Sequence, residues 1–231
     1  MTAPVIAVDG PSGTGKGTLC SYLAQWLDWH LLDSGALYRI VAYAAQTQGI
    51  DPDNEAALGE VARNLDVEFI PSEPGRDVGV LLAGRDITQS IRNEDCGRAA
   101  SIVAALPQVR AGLLDRQQSF RRPPGLIADG RDMGTVVFPD AELKIFLTAS
   151  PDERAKRRYK QLKDKGIGVN LRQLLADITE RDARDTERDI SPLRPAGDAI
   201  VFDTTDVNID TMVEKMIRTV RDKFPNITRD R

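Results

Sequence analysis

The stretch VIAVDGPSGTGKGTL, residues 5–19, decides the fold of this chain because it joins a β-strand pattern to a glycine-rich loop and a helix pattern. The loop reads G-x-x-x-x-G-K from Gly10 to Lys16, an arrangement in which backbone N–H groups and a lysine bind phosphate groups. Glycines take positive φ angles at no steric cost, and the following helix adds the positive end of its dipole. The strand, loop and helix together predict a phosphate-binding site.

One position of this loop departs from the usual pattern. Gly17 stands where such loops normally carry a Ser or Thr that holds Mg²⁺, and the first hydroxyl, that of Thr18, comes one residue later. One residue turns a helix by about 100°, so Thr18 does not simply replace the missing hydroxyl. Mg²⁺ binds well to phosphate oxygens and water. We therefore expect the nucleotide and water to hold the metal, with Thr18 and Asp129 nearby and no residue assigned as a firm ligand.

Length and composition limit the class of protein. With 231 residues the chain is long enough for one compact α/β domain with appended pieces, and its net charge of -4 favours a small anionic ligand over nucleic acid. Only Cys20 and Cys96 could form a disulfide, no apolar run approaches membrane-spanning length, and the first apolar run leads directly into the glycine loop. We expect a cytoplasmic protein without membrane or nucleic-acid partners, and a monomer because no interface repeat is visible.

The pattern of apolar runs predicts an α/β fold. Short β-rich runs alternate with helical patterns, which is typical of a parallel sheet with helices on both faces. A different pattern occupies residues 65–92, where short runs are interrupted by Pro71, Pro74, Gly75 and Gly84, and this predicts a small antiparallel insertion. The candidate strands of the main sheet are residues 4–8, 30–32, 125–129, 143–147 and 199–203.

Three helical patterns flank these strands. The segment PDERAKRRYKQLKDKG, residues 151–166, predicts a basic helix that ends at glycine, and a solvated surface helix is its simplest explanation. The other two patterns are amphipathic and should pack on the sheet. Their apolar faces carry Leu19, Leu23 and Leu27 in the helix after the loop, and Ile209, Val213, Ile217 and Val220 near the C-terminus.

Further segments contain groups suited to a second anionic substrate. LLDSGALYR, residues 31–39, follows a predicted strand, where α/β proteins commonly build ligand sites, although Asp33 and Ser34 could equally cap the next helix. In RDARDTER, residues 181–188, the spacing places two arginines and one aspartate on one helical face. A salt bridge on a solvated helix would also explain that spacing.

These segments resemble those of nucleoside monophosphate kinases, in which G-K-G-T is the usual form of the loop, and together they resemble bacterial cytidylate kinases of the long form. The motifs DGPSGTGKGT, LLDSGALYR, ADGRDMGTVVFPDA and RDARDTERDISPL carry the resemblance, which covers nearly the whole chain. It implies a single P-loop kinase domain. The implied parts are a core of about 1–32, 104–150 and 168–231, a nucleoside monophosphate-binding region with the insertion at about 33–103, and a helical lid at about 151–167.

The resemblance also implies roles for individual residues. Lys16, Arg131 and Arg188 would be catalytic. The ATP site would contain Gly10, Ser12, Gly13, Thr14, Gly15, Lys16, Gly17 and Thr18, together with Arg154, Arg157 and Arg158 of the lid. The CMP site would contain Ser34, Tyr38, Arg39, Ser101, Arg110, Arg131, Asp132, Arg181, Asp185 and Arg188.

The function implied by the resemblance is transfer of the γ-phosphoryl group of ATP, bound with Mg²⁺, to CMP or dCMP, which forms CDP or dCDP and ADP in pyrimidine nucleotide metabolism. Two alternatives stay open at this stage. The same core could phosphorylate another small acceptor such as UMP or a non-nucleotide metabolite. It could also be a regulator that binds nucleotide without transfer, although such a protein would not need a second arginine-rich anion site.

Overall fold

The computed structural model describes residues 2–70 and 79–226. Its strands are β1 (Val5–Asp9), β2 (His30–Asp33), β3 (Val67–Ile70), β4 (Gly79–Leu82), β5 (Arg85–Asp86), β6 (Leu126–Gly130), β7 (Leu143–Thr148) and β8 (Ile200–Asp203). Its α-helices are α1 (Lys16–Leu27), α2 (Ser34–Thr47), α3 (Glu55–Arg63), α4 (Glu94–Val103), α5 (Pro107–Gln118), α6 (Pro151–Asp164), α7 (Leu171–Glu187) and α8 (Ile209–Lys223). A 3₁₀ turn covers Ser90–Arg92 and a π-helical turn covers Met133–Val137.

The main sheet has five parallel strands in the order β2-β6-β1-β7-β8, with β1 in the middle. Every residue of β1 is buried, as expected for a parallel strand covered by helices on both faces. In its register, Ile6 lies opposite Ile127 on one side and Leu143 on the other. The predicted α/β fold is confirmed, and each of the five candidate strands forms within one residue of its predicted position.

The chain divides into two compact units, one of which is Asp33–Phe120 and the other the described residues before and after it. Each is described by itself. In the Asp33–Phe120 unit, α2 packs on α4 and α3 on α5, and β3, β4 and β5 form an antiparallel sheet that confirms the predicted insertion. Residues 71–78, including Pro71, Pro74 and Gly75, lie outside the described residues. Asp33 does cap α2, because its Oδ1 accepts the N–H of Ala36 at 3.0 Å.

In the unit that contains the main sheet, α1 and α8 pack together over a common core. Leu19, Leu23 and Leu27 are buried as predicted. The predicted apolar face of α8 was partly wrong, because Ile209 is 42% exposed. As the first residue of α8, Ile209 lies beside the phosphate loop, with Cδ1 3.5 Å from where a Cβ on Gly15 would stand. The core positions of this helix belong to Met212, Val213, Met216 and Val220.

The strand order determines where a ligand can bind. In the sheet, β1 lies between β6 and β7, and the three strands are parallel. Their carboxyl ends therefore meet at one edge of the sheet. In open α/β sheets, ligands bind at such a point, where the order of the strands reverses. The glycine loop follows β1 at this edge, and the turn that begins at Arg131 follows β6.

Candidate active site

The glycine loop has the backbone conformation that its glycines predict. Gly10, Gly13 and Gly15 have φ angles of +141°, +81° and +95°. A Cβ on Gly10 would stand 2.1 Å from the carbonyl oxygen of Leu147, a backbone atom that cannot rotate away. Thr14 is buried, and its Oγ1 donates to the carbonyl of Pro11 at 3.1 Å. The loop is therefore shaped by contacts within the protein.

Lys16 begins α1 and is buried at the base of this loop. Its Nζ donates to the carbonyl of Pro11 at 2.8 Å. Burial and the charge of Arg131 lower the pKa of Lys16 to about 7, although the carboxylate of Asp129 acts in the opposite direction. A bound anion would stabilise the charged form of Lys16 in these surroundings, so Lys16 is suited to bind a phosphate.

Asp129 lies over the position where Gly17 replaces the usual hydroxyl. A Cβ on Gly17 would be 3.7 Å from Oδ2 of Asp129, which is an ordinary van der Waals distance. Gly17 and Thr18 are both exposed at the start of α1. Within residues 2–70 and 79–226, no group of three His, Cys, Asp or Glu side chains is arranged to hold a metal ion by itself. One carboxylate beside the loop fits a magnesium ion held mainly by nucleotide and water.

A cluster of charged residues lies near Lys16 in the same unit. Nε of Arg131 donates to Oδ2 of Asp185 at 3.0 Å, and Nε of Arg181 lies 3.9 Å from the same oxygen. Burial opposes the charge of Arg131, but Asp185, Asp129 and Asp9 outweigh it and raise its pKa. Burial likewise opposes the charge of Asp185, but Arg131, Arg181 and Arg188 lower its pKa. The cluster is therefore fully charged at neutral pH and rich in guanidinium groups, which suit phosphate oxygens.

Asp132 and Arg188 lie at the ends of elements in the same unit. Asp132 is buried directly before the π-helical turn Met133–Val137, where its backbone φ is −144°. Arg188 follows the last residue of α7, and its Nε donates to the carbonyl of Ser191 at 2.6 Å. Arg181 and Asp185, which the sequence pattern predicts on one face of α7, form an ion pair at 3.9 Å.

The basic helix α6 holds its arginines in different ways. Arg154 is 2% exposed, and Nε donates to the carbonyl of Ala149 while Nη1 donates to the carbonyl of Ser12 at 3.2 Å. Both terminal nitrogens of Arg154 also bind the carboxylate of Asp182 on α7. Arg154 is thus buried and binds the phosphate loop and α7 at the same time.

The next arginines of α6 are more accessible. Arg157 donates through Nη1 to Oγ1 of Thr204 at 3.2 Å and through Nη2 to its carbonyl. Arg158 makes a local hydrogen bond to Gln161 at 3.2 Å. The helix ends as predicted, with Gly166 at φ +74° directly after its last turn.

The remaining residues predicted to bind CMP belong to the Asp33–Phe120 unit. Ser34 is buried and donates to Oε1 of Gln117 at 2.7 Å. The guanidinium of Arg110 lies 5.7 Å from the ring centre of Tyr38, and Arg39 donates to the carbonyls of Ile91 and Asn93. These residues and buried Ser101 lie on α2, α4 and α5, where α2 packs on α4 and is joined to α5 by the two side-chain contacts given above.

Four polar residues of these units escaped sequence reasoning. Asp9 ends β1 and binds the turn after β6, and Asp182 binds Arg154. Thr204, which is 1% exposed, donates through Oγ1 to the carbonyl of Thr14 at 3.0 Å. Gln117 accepts from Ser34, 83 positions away. Of these four, only Asp9 could have been recognised from the sequence, because it is the one charged residue of a buried strand directly before the loop.

Comparison with known proteins finds relatives that share nearly the whole length of the chain. The profile of the family described as cytidylate kinase matches residues 6–222. The cytidylate kinase of Nitrosococcus oceani is 58% identical over 214 residues, which cover 93% of this chain and 94% of that protein. The cytidylate kinase of Stutzerimonas stutzeri is 56% identical over 220 residues, covering 95% and 96%. No helix of the described residues is long and apolar enough to cross a membrane. The chain belongs to the cytidylate kinase family.

Proposed function

We propose that the protein transfers the γ-phosphoryl group of ATP to the 5′-phosphate of CMP or dCMP, forming CDP or dCDP and ADP. The observation that carries the proposal is the cluster of cations beside the phosphate loop. Burial and the nearby charges of Arg131 and Arg181 lower the pKa of Lys16. A protein that only binds one nucleotide needs the loop alone, whereas transfer between two phosphates needs a second set of cations at the same edge of the sheet.

The donor site in this proposal is the loop that follows β1. Lys16 and backbone N–H groups of the loop hold the phosphates of ATP. These N–H groups belong to Gly10, Ser12, Gly13, Thr14, Gly15, Gly17 and Thr18. Arg157 and Arg158 on α6 are half-buried, and they are the lid arginines assigned to the phosphates of ATP. Arg154 supports the loop from inside the protein, because its donors bind the carbonyls of Ser12 and Ala149 and the carboxylate of Asp182.

For the acceptor we propose the residues that the resemblance to cytidylate kinases implies. Arg39, Arg131 and Arg188 hold the acceptor phosphate. Asp132 accepts from the exocyclic amine of cytosine, with Ser34, Arg110 and Arg188 around the base and Tyr38 packed against Arg110. Ser101, Arg181 and Asp185 face the ribose.

The chemistry requires alignment and charge neutralisation and no general base. A phosphate monoester has a second pKa of about 6, so the attacking oxygen of CMP is already largely ionised at neutral pH. Lys16 and the arginines reduce the repulsion between two anions and hold them in line. This agrees with the single histidine of the chain, His30, which lies on β2 and binds the carbonyl of Pro123 at 3.0 Å.

Mg²⁺ enters the proposal as an ion bound together with ATP. Asp129, whose Oδ2 is 3.7 Å from the Cβ position of Gly17, would bind its water shell, and Thr18 lies in the first turn of α1. When bound, the ion would neutralise charge on the phosphate oxygens of ATP. The loop and Lys16 orient the phosphates independently of it.

We further propose a cytoplasmic monomer without a nucleic-acid or membrane partner. Cys20 is buried in the core, and no disulfide joins it to Cys96. The net charge of -4 is unfavourable for binding a polyanion.

A side-by-side assay of ADP formation with CMP, dCMP, UMP and AMP tests the proposed function. We expect CMP to be the best acceptor, dCMP to be close behind and UMP to be poorer, because uracil presents an oxygen where cytosine presents an amine. Lys16→Met should abolish transfer, and Lys223→Met at the exposed end of α8 is the matched control that should not. Equal kcat/KM for CMP and UMP would contradict the assignment.

A further inference from the structure

Asp9 has a buried carboxylate that the proposed chemistry does not use. It is the last residue of β1 and only 5% exposed. Oδ1 accepts the backbone N–H of Met133 and Oδ2 accepts that of Gly134, both at 2.8 Å. A buried carboxylate is costly unless its oxygens are hydrogen-bonded. Both oxygens of Asp9 are bound to one short segment, so the position of that segment depends on this residue.

The segment bound by Asp9 is the start of the π-helical turn Met133–Val137. The first N–H groups of a helical turn have no partner inside the turn, and Asp9 supplies one to each of two. Arg131 and Asp132 come immediately before these groups in the chain. The two hydrogen bonds therefore fix the backbone from which the side chains of Arg131 and Asp132 extend.

Lys144 also lies beside this turn. A Cβ on Gly134 would lie 3.1 Å from Cδ of Lys144 and 3.5 Å from Oδ2 of Asp9. Nζ of Lys144 is itself held by the carbonyl of Pro139 at 2.7 Å and by Asp198 at 3.0 Å. The turn thus lies against two fixed side chains, and only a residue without a Cβ fits there without displacing one of them.

Asp9 is also joined directly to the donor loop, because Gly10 is the next residue. The position of Gly10 is fixed by the carbonyl of Leu147, which a Cβ would meet at 2.1 Å. The charges that act on Asp9 come from Asp132 on the turn and Lys16 on α1. One residue therefore connects the backbone that begins the phosphate loop with the backbone that carries Arg131 and Asp132.

We propose that Asp9 is a positioning residue that sets the spacing between the phosphate loop and the start of the turn Met133–Val137, and so the positions of Arg131 and Asp132 directly before it. This inference rests on the proposed function, since it takes these two residues as part of the acceptor site. In Asp9→Asn the amide oxygen can still accept one N–H, but the amide NH₂ faces the other donor. The turn should then move away from the loop while the loop keeps its own contacts.

The test compares Asp9→Asn with a matched change at the other end of the same strand. Glu142, the residue before β7, accepts the N–H of Val5 at 2.7 Å through Oε2, so Glu142→Gln makes the same carboxylate-to-amide change beside the start of β1, away from the loop. For Asp9→Asn we expect kcat/KM for CMP to fall roughly 100-fold, as a displacement of about 1 Å can cause. The ratio of kcat/KM for CMP to kcat/KM for UMP should fall toward 1. The Kd of ATP should stay within about twofold of the wild-type value. Glu142→Gln should change none of the three.

The ratio of acceptors separates positioning from simple loss of folded protein, because a smaller folded fraction lowers both efficiencies equally. If Asp9→Asn does not fold, Gly134→Ala displaces the same turn with the carboxylate intact and should narrow the ratio in the same way. A wild-type ratio and a wild-type KM for CMP in the folded variant would overturn the inference. Failure of the wild-type protein to form CDP from CMP would instead overturn the proposed function.

Discussion

Lys16 is held in surroundings that oppose its own charge. Burial and Arg131 both disfavour the ammonium form, and its pKa falls to about 7. The unfolded chain would keep an ordinary lysine pKa of about 10.4. Between these values the free protein therefore holds Lys16 largely neutral, and a bound phosphate must restore the proton.

Proton uptake on nucleotide binding is the expected result. The phosphates raise the pKa of Lys16 again, so binding at pH 8 should take up close to one proton at this residue, and binding at pH 6 close to none, by the ordinary effect of an opposite charge. Calorimetry in two buffers with different ionisation enthalpies measures the uptake. Lys16→Met is the reference, because protons that ATP itself takes up or releases on binding contribute to both measurements and cancel in the difference. The same uptake at pH 8 in both proteins would show that Lys16 is charged before ATP binds.

Asp132 provides the second test at a single residue. Asp132→Ala should reduce activity with CMP and also narrow the gap between CMP and UMP, because it removes an attraction for the amine and a repulsion of the oxygen. Sites that hydrogen-bond a substrate group can reject an analogue without it by about 10⁴-fold, so the possible change is large. The quantity to compare is the ratio of kcat/KM for the two acceptors. A preserved ratio would mean that Asp132 supports the turn and does not read the base.

At the scale of secondary-structure elements, α6 and α7 are joined by one buried ion pair. Arg154 of α6 is 2% exposed along its side chain, while its partner Asp182 of α7 keeps 23%. The same guanidinium binds the carbonyl of Ser12 in the phosphate loop. The loop and two helices therefore share one cation, and the loss of Asp182 would leave that cation buried without its counterion.

We expect Asp182→Ala to lower the free energy of unfolding by about 3 kcal/mol or more, the usual cost of an unpaired buried charge. The double variant Arg154→Met/Asp182→Ala should be more stable than the sum of the single effects predicts. Urea unfolding of the four proteins gives these values. Additive effects would show that the two side chains act independently.

An exposed pair on the same helix is the control for this cycle. Arg184 binds Glu180 at 2.6 Å, but the side chain of Glu180 is 69% exposed. Glu180→Ala should change the free energy of unfolding by no more than about 0.5 kcal/mol, as for other exposed pairs on helices. A similar cost at Glu180 and Asp182 would remove burial as the explanation.

For the whole molecule we expect a monomer. Light scattering should give a mass near 25.4 kDa at the concentrations used for the assays. CMP and ATP should leave this mass unchanged, because the residues assigned to both substrates come from one chain. A mass near twice this value that persists on dilution would contradict the expectation.

The same scale shows how far the sequence could predict the structure. The strands and the glycine loop were visible because continuous apolar runs and glycine spacing depend on neighbours in the chain. The face of α8 was harder, since Met212 and Met216 rather than Ile209 are in its core. Contacts such as Ser34 to Gln117 could not be predicted, because 83 positions separate the partners and no periodic pattern connects them.

The two ends of the phosphate loop should tolerate amino-acid substitution to different degrees. A Cβ on Gly10 would collide with a backbone oxygen at 2.1 Å, whereas one on Gly17 would meet only a side-chain oxygen at 3.7 Å. In a library of all single substitutions, variants at Gly10 should therefore disappear from the soluble fraction of cells even where activity is not selected. Variants with small side chains at Gly17 should remain abundant and be lost only when growth depends on the enzyme.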